Sequence, residues 1–437
     1  MDAPGQRRES RVIESRSARV DAGVDALVDA DTARLVEMFK MLHSTPELAF
    51  AEVRTARTVA QGLGNLGFQV TSGIAGTGVA AVLENGPGPT VMYRADMDAL
   101  AIEEATGLDY ASTARARRED GTTVPVAHMC GHDAHVVWMM GMAKVLARTT
   151  DAWSGTAVLV GQPAEEPITG AQAMVDDGLY DFVPRPDQLV GLHTAPAPVG
   201  MVVAAGGTRL AGTDQLDIEF RGVGGHGSMP QLTKDPVLMA ALAVVEFQAI
   251  ISRTIAPQET AVLSVGSVQA GVDNNVIPDR ALLKANLRWF HTGVRDQLLA
   301  GIRSVSEGLA RTYGMPEDRL PALTMKGHSP PLVNDDALTT RVAESLQQVL
   351  GEGNVVTDFP PATGSEDCHL LKGPHADVPL AYLLVGVADP QVYAAAAAEG
   401  KLFPYSPHSP EYIVDLAAIP FGAKVASHIM LELLGAS

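Results

Sequence analysis

Residues 127–135 read AHMCGHDAH, which gathers Cys130, His128, His132, His135 and Asp133 into one short stretch. The whole chain holds 2 cysteines and 12 histidines, so this stretch is strongly enriched in groups that bind metals or act as nucleophiles. Cys130 and His132 lie just before the apolar helical pattern HDAHVVWMMGMAKVLA. At a strand-to-helix turn, side chains spaced this way can face one crevice, and open α/β sheets place ligands beyond the C-terminal ends of their strands. A helix N-terminus also lowers a thiol's pKa toward the thiolate that metals require. A lone cysteine is more often a packed thiol; a C-x-H pair inside a cluster of imidazoles favours a metal site.

Further polar groups fall at the ends of other apolar runs. YRADMDAL closes a strand pattern with Asp96 and Asp98, GQPAEEP closes another with Glu165 and Glu166, and GLHTAP brings His193 directly after an apolar run. His408 stands in the proline-bounded loop PHSPEY. An acid pair is usually solvated and a strand-end histidine usually a simple hydrogen bonder. Their repetition at successive strand ends is what a metal site built on an α/β sheet requires. Rival signals are weaker. No H-E-x-x-H, C-x-x-C, G-x-S-x-G or phosphate-binding loop occurs. GVGGHG (222–227) satisfies the dinucleotide spacing, but Met229-Pro230 and a further loop separate it from the next helix at Asp235. Cys130 as the nucleophile of a Cys-His hydrolase leaves Glu165, Glu166 and the distant histidines without roles.

The elements that must position these groups alternate. TARLVEMFKML and AEVRTARTVAQGLGNLG have helical spacing, while GVAAVLE, TVMYRAD, GTAVLVGQ and QLVGLHT read as buried strands. This predicts an α/β domain with a mostly parallel sheet. Near residue 208 the texture becomes strand, helix, two strands and helix, a compact α+β unit, and after Leu320 the α/β texture returns with a last helix from Ile413. The expected division is a flexible N-terminus (1–30), a catalytic domain in two parts (31–207 and 321–437) and an inserted domain (208–320). A net charge of −19 argues against nucleic acid as a partner. No apolar segment follows the N-terminal arginines, so no secretory signal is expected, and two distant cysteines suit reduced thiols in the cytoplasm. The run DPVLMAALAVVEFQAIISRTI contains Glu246 and reads as a buried helix, not a membrane span.

Taken in order, HSTPELAFAE, YRADMDAL, HMCGHDAH, GQPAEE, GLHTAPAPVG, GVGGHGSMP, DNNVIP, GSEDC and PHSPEY make the chain resemble the metal-dependent amidohydrolases that include aminoacylases, hippurate hydrolase, carboxypeptidase G and the auxin-conjugate hydrolases. The resemblance implies a metallopeptidase-like catalytic domain and two divalent ions (Zn, Mn, Co or Ni) held by Cys130, His132, Glu166, His193 and His408, with the thiolate as a candidate bridge. It implies Glu165 as general base and Asp98 as the carboxylate that orients a ligand. It makes the inserted domain a dimerisation or lid domain, with His226 reaching the partner subunit's active site and Asn275 and Arg288 near a substrate carboxylate. The implied activity is hydrolysis of N-acyl amino acids by a homodimer; a metallodipeptidase or carboxypeptidase with the same site, or an inactive metal-binding relative, are the alternatives. Ala101 replaces the proline usual after DMDAL, and Pro167 the glycine usual after PAEE, which bears on substrate range and not on the chemistry.

Each role has a physical reason. Glu165 and Glu166 are neighbours that point in different directions, so one can ligate while the other handles protons. Glycines on both sides of His226 permit close backbone approach for a donor to an oxyanion. The Arg288 guanidinium can grip a carboxylate with two hydrogen bonds. His135, one helical turn from His132, is expected to brace the site, Asp133 to cap the helix, and Cys368 to be a packed thiol. Glu366 is a candidate either for supporting the ligands from behind or for the substrate side. His43 and Glu47 match the family in HSTPEL, although a helix-terminating loop accounts for them adequately.

Overall fold

The computed structural model describes residues 4–118 and 120–435, with side chains from residue 23 onward. The chain divides into two compact units. One comprises Met1–Gly207, Asn334–Phe359 and Asp367–Ser437; the other comprises Thr208–Val333 and Pro360–Glu366.

The first unit is built on an eight-stranded sheet in the order Gln69–Ile74, Gly78–Asn85, Gly155–Gln162, Thr90–Asp96, Gln188–Pro198, Leu380–Ala388, Val202–Val203, Val355–Val356. The four middle strands, Gly155–Gln162 through Leu380–Ala388, run parallel to one another. Their residues are buried on both faces, as strands covered from both sides must be. The helices Pro4–Ser44, His132–Arg148 and Ala418–Leu434 pack on one another around a core that includes Phe39, Trp138, Ile419 and Met430. Small residues set that closeness. A Cβ on Gly422 would meet the Trp138 ring at 2.2 Å, and one on Gly141 would meet Ala423 at 2.8 Å. The Trp138 indole N–H donates to Ala418 O at 3.0 Å, so the buried ring keeps its one polar atom satisfied.

Three expectations need correcting. Residues 1–3 of the stretch expected to be flexible lie outside the described residues, and the rest begins a single helix, Pro4–Ser44. Its buried Val24, Val28, Leu35, Phe39 and Leu42 follow helical spacing, and Asp29 pairs with Lys424 of the last helix at 2.8 Å, so the helix is bound to the core from Val24 onward. The last helix begins at Ala418, not Ile413. The chain before it is non-helical and tied to the sheet, with Asp415 N–H donating to Val387 O at 2.8 Å. The inserted unit runs past 320, because Ala322–Ser329 pairs antiparallel with Gly212–Arg221 and joins that unit's sheet.

The second unit is a four-stranded antiparallel sheet in the order Ala261–Ala270, Arg280–Trp289, Gly212–Arg221, Ala322–Ser329. The helices Pro236–Ala249 and Thr292–Thr312 pack against it through Met239, Ala243, Phe247, Leu298 and Ile302. Asp235 caps the first by accepting from Val237 N–H at 2.9 Å. The stretch Pro236–Thr254 is, among the described residues, the one long and apolar enough by length and composition to cross a membrane. One side of it is core, while Val237, Leu238 and Val245 are exposed.

Candidate metal centre

The parallel strands deliver most of the expected residues to one place. Thr90–Asp96 runs directly into Asp98, and Gly155–Gln162 runs into Glu165 and Glu166. His193 differs from expectation, lying inside Gln188–Pro198 opposite Leu384 and not at its end. Pairing with Thr90–Asp96 stops at Arg94 and Gly191, so His193 lies just beyond the paired stretch. Cys130 and Gly131 form the turn into the helix that starts at His132. His408 is anchored to that turn by its own N–H, which donates to Met129 O at 2.8 Å.

Within the first unit Cys130, His132, Glu165, Glu166, His193 and His408 converge. Cys130 Sγ lies 3.6 Å from His193 Nε2. His132 Nε2 lies 3.9 Å from Glu166 Oε1 and 3.9 Å from Glu165 Oε2, and His408 Nε2 lies 3.4 Å from Glu166 Oε2. Candidate donor atoms of Cys130, Glu166 and His408 form one group and those of His132, Glu165 and Glu166 another, which makes Glu166 common to both.

The surroundings orient these groups. Asp98, buried, faces His132 Nδ1 at 3.3 Å and takes the backbone N–H groups of Glu165 and Glu166 at 3.1 and 3.0 Å. His132 Nδ1 also bonds Asp98 O at 2.9 Å, which leaves Nε2 to face the cluster. The residue before the acid pair, Ala164, has φ +49°, a left-handed conformation that costs a residue with a Cβ about 1–2 kcal/mol. Glu52 secures it. This fully buried carboxylate accepts from Ala164 N–H at 2.9 Å, Phe50 N–H at 2.9 Å and Thr77 Oγ1 at 2.6 Å, and burial pushes its pKa up to about 7. Ile168 N–H donates to Glu165 O at 2.6 Å, closing a turn whose third residue is Pro167.

Among the described residues, two buried atoms at the centre, His132 Nε2 and Glu166 Oε1, have no hydrogen-bond partner, although His132 Nε2 lies 3.5 Å from Asp96 Oδ2. Orphaned buried polar atoms of this kind are rare, because each forfeits about 1–3 kcal/mol. Burial and the nearby Glu166 push the Cys130 thiol up, and burial pushes Glu166 up to about 8 against the pull of His132. A thiol, imidazoles and carboxylates in this arrangement fit borderline divalent ions, which would take the thiolate and both orphaned atoms as partners.

His135 belongs to the bracing. Its Nε2 accepts Thr194 N–H at 2.8 Å and its Nδ1 meets Asp96 Oδ1 at 2.5 Å, so both ring nitrogens are engaged. Asp133 is not the helix cap; that position is Gly131, and Asp133 instead bonds His43 at 2.7 Å. Glu47 accepts Arg54 and Thr55 N–H groups at 2.9 Å and so starts the helix Val53–Asn65. Cys368 is a buried thiol and Glu366 is buried in the second unit.

Sequence reasoning missed Arg94, Gln162 and Asp367 beneath the site. Arg94, almost fully buried, donates to Asp96 Oδ2 at 2.7 Å and Gln162 Oε1 at 2.8 Å, and Gln162 donates to Asp367 at 2.6 Å. The signal was an arginine inside the apolar strand VMYRAD. For Glu52 and Thr194 no local signal exists.

His226, Asn275 and Arg288 belong to the second unit. His226 Nδ1 accepts Ser228 N–H at 3.1 Å, and Gly227 N–H donates to Asn275 O at 2.8 Å, so the two exposed loop residues are neighbours. Arg288, on the inner strand Arg280–Trp289, donates to Ser365 Oγ.

A mostly parallel α/β sheet carrying such a cluster, interrupted by an α+β unit, defines the metallopeptidase-like class of fold. The model of peptidase family M20/M25/M40 matches residues 92–432, and the chain belongs to that family, as a hydrolase of amide bonds. It is 35% identical over 341 residues to hippurate hydrolase of Campylobacter jejuni, covering 77% of this chain and 85% of that protein. It is 33% identical over 338 residues to N-acetyl-L-cysteine deacetylase of Bacillus subtilis, covering 76% of each. Among solved structures, the YXEP protein of Bacillus subtilis, described as a dinuclear metal-binding peptidase of the M20 family, superposes with a TM-score of 0.68 at 26% identity, over 93% of this chain and 98% of that one.

Proposed function

We propose that the protein is a cytoplasmic, homodimeric amidohydrolase of N-acyl amino acids. Cys130, His132, Glu166, His193 and His408 hold two divalent cations, drawn from Zn, Mn, Co or Ni. The observation that carries the reading is the pair of orphaned buried atoms, His132 Nε2 and Glu166 Oε1, among a thiol and two further imidazoles. When bound, such ions acidify water and polarise an amide carbonyl. Glu165, buried beside the ligands yet assigned no cation of its own, takes the proton of the attacking water and delivers it to the departing amine nitrogen. Asp98 keeps the Nδ1 side of His132 engaged and fixes the backbone of both glutamates. His226 is assigned to the oxyanion of the partner subunit's site, and Asn275 and Arg288 to the substrate carboxylate. Val245 and the edge-strand residue Val268, 65% and 55% exposed, support a dimer through the second unit. The two free, buried cysteines suit a reducing compartment.

The test is a panel of acetyl-, benzoyl- and long-chain acyl amino acids and simple dipeptides, offered to enzyme loaded with each cation. Hydrolysis of acyl amino acids above dipeptides supports the reading, and the reverse preference replaces it with a dipeptidase. Glu165→Gln should keep its cations and lose turnover; hydrolysis at the wild-type rate would remove Glu165 from its role.

A further inference from the structure

We propose that Thr194 is a positioning residue that ties the His193 imidazole to the Cys130 turn, so that nitrogen and sulfur meet one cation together. This rests on the ligand assignment above and adds to it a residue that itself touches no cation.

Thr194 is almost fully buried and each of its polar groups has a partner. Its carbonyl meets His193 Nδ1 at 2.7 Å, which makes Nε2 the nitrogen that faces Cys130 Sγ. Its hydroxyl donates to Cys130 O at 2.7 Å, binding the strand to the turn that carries the sulfur. Its N–H donates to His135 Nε2 at 2.8 Å. A ring nitrogen that accepts there must carry its proton on Nδ1, and that proton goes to Asp96 Oδ1. Asp96 is held in turn by Arg94. Thr194 is therefore fixed from below by Arg94, Asp96 and His135, and it fixes two ligands from different segments above. The same chain engages both ring nitrogens of His135, whose ring centre lies 4.6 Å from that of His193.

The turn is shaped to receive this residue. Gly131 has φ +81°, and a Cβ there would stand 2.8 Å from both Thr194 Oγ1 and Cγ2. Only glycine permits the left-handed turn and the contact together. Thr194 and Gly131 thus form a fitted pair across 63 residues of sequence, the separation of Cys130 and His193.

The experiment titrates metal-free Thr194→Val, Thr194→Ser, Thr194→Ala and Cys130→Ser variants with cobalt(II). It reads affinity and the thiolate-to-cobalt charge-transfer absorption, with circular dichroism of each metal-free protein as the check on folding. Thr194→Val, which keeps shape and loses the hydroxyl, should bind cobalt about 10–100-fold more weakly, with a diminished charge-transfer band. Thr194→Ser should behave like wild type. Serine and alanine both lack the methyl group, so should valine not fold, the serine–alanine comparison isolates the hydroxyl. Wild-type affinity and band in the valine variant, or equal behaviour of serine and alanine, would overturn the role of Thr194. Cys130→Ser separates the two levels. Loss of its band keeps the ligand assignment whatever Thr194 does, whereas a wild-type band in that variant would overturn the assignment itself.

Discussion

Replacing Arg94 with methionine tests whether the polar layer beneath the site is a supporting structure. The Arg94 side chain is inaccessible to solvent, and so are its partners Asp96, 2.7 Å away, and Asp367, 3.6 Å away. Burial alone would raise the Asp96 pKa, yet Arg94 and the neighbouring histidines 132 and 135 hold it well below the usual carboxylate range. Methionine fills most of the volume but leaves two buried carboxylates without their cation. Removing one partner of a buried ion pair destabilises by about 3–5 kcal/mol. The first unit has about three hundred residues, for which the unfolding entropy makes 1 kcal/mol worth somewhat under 2 °C, so Tm should fall by about 5–8 °C. The assay is thermal and urea unfolding of metal-free protein, followed by circular dichroism. The double variant Arg94→Met/Asp96→Asn should recover about 1–3 kcal/mol of the loss, because the uncompensated charge has gone. An Arg94→Met protein within about 1 kcal/mol of wild type, or strict additivity in the double variant, would refute the reasoning.

Other perturbations reach the same site by different routes. Gly131→Ala forces a side chain into a left-handed turn and against Thr194, so it should lose about 1–3 kcal/mol and gain less Tm on cation binding than wild type; an undiminished gain in a thermal-shift assay would contradict this. Burial opposes protonation of His43, but hydrogen bonds to Asp133 and Glu104 outweigh it and raise its pKa to about 10. The folded value exceeds the unfolded value of about 6.5, so the stability His43 contributes is full below pH 6.5 and is lost as pH rises through 10. The unfolding free energies of wild type and His43→Gln should accordingly converge between pH 6 and pH 10, and a constant gap across that range would be the contrary result. Chelation should abolish hydrolysis, and adding back Zn, Mn, Co or Ni should restore it; activity that survives chelation and fails on thiol alkylation would point to a cysteine nucleophile.

The legibility of this chain follows the range of its interactions. Cys130 and His132 were readable because two residues at a helix start share a crevice through local geometry alone. Asp98, Glu165 and Glu166 were readable because each follows an apolar strand, and parallel strands bring their C-terminal ends to one edge. His193 was expected at a strand end, whereas its strand continues to Pro198 and only the pairing with Thr90–Asp96 stops at Gly191. Thr194, Glu52 and Asp367 were invisible because their partners lie far away in sequence and threonine or an acid in a loop carries no periodic signal. The left-handed backbone of Ala164 and His408 was equally hidden, as the surrounding fold imposes it on residues that do not favour it. The N-terminal helix was undervalued because its apolar stripe from Val24 is sparse, and the strand Ala322–Ser329 because an edge strand with few buried residues resembles a loop.

Anomalous X-ray scattering from crystals soaked in a divalent transition metal tests the central claim most directly. The account predicts two peaks about 3.5–4 Å apart, within bonding distance of Cys130, His132, Glu166, His193 and His408, and none bonded to Glu165. Peaks elsewhere, or a peak bonded to Glu165 in place of Glu166, would contradict it.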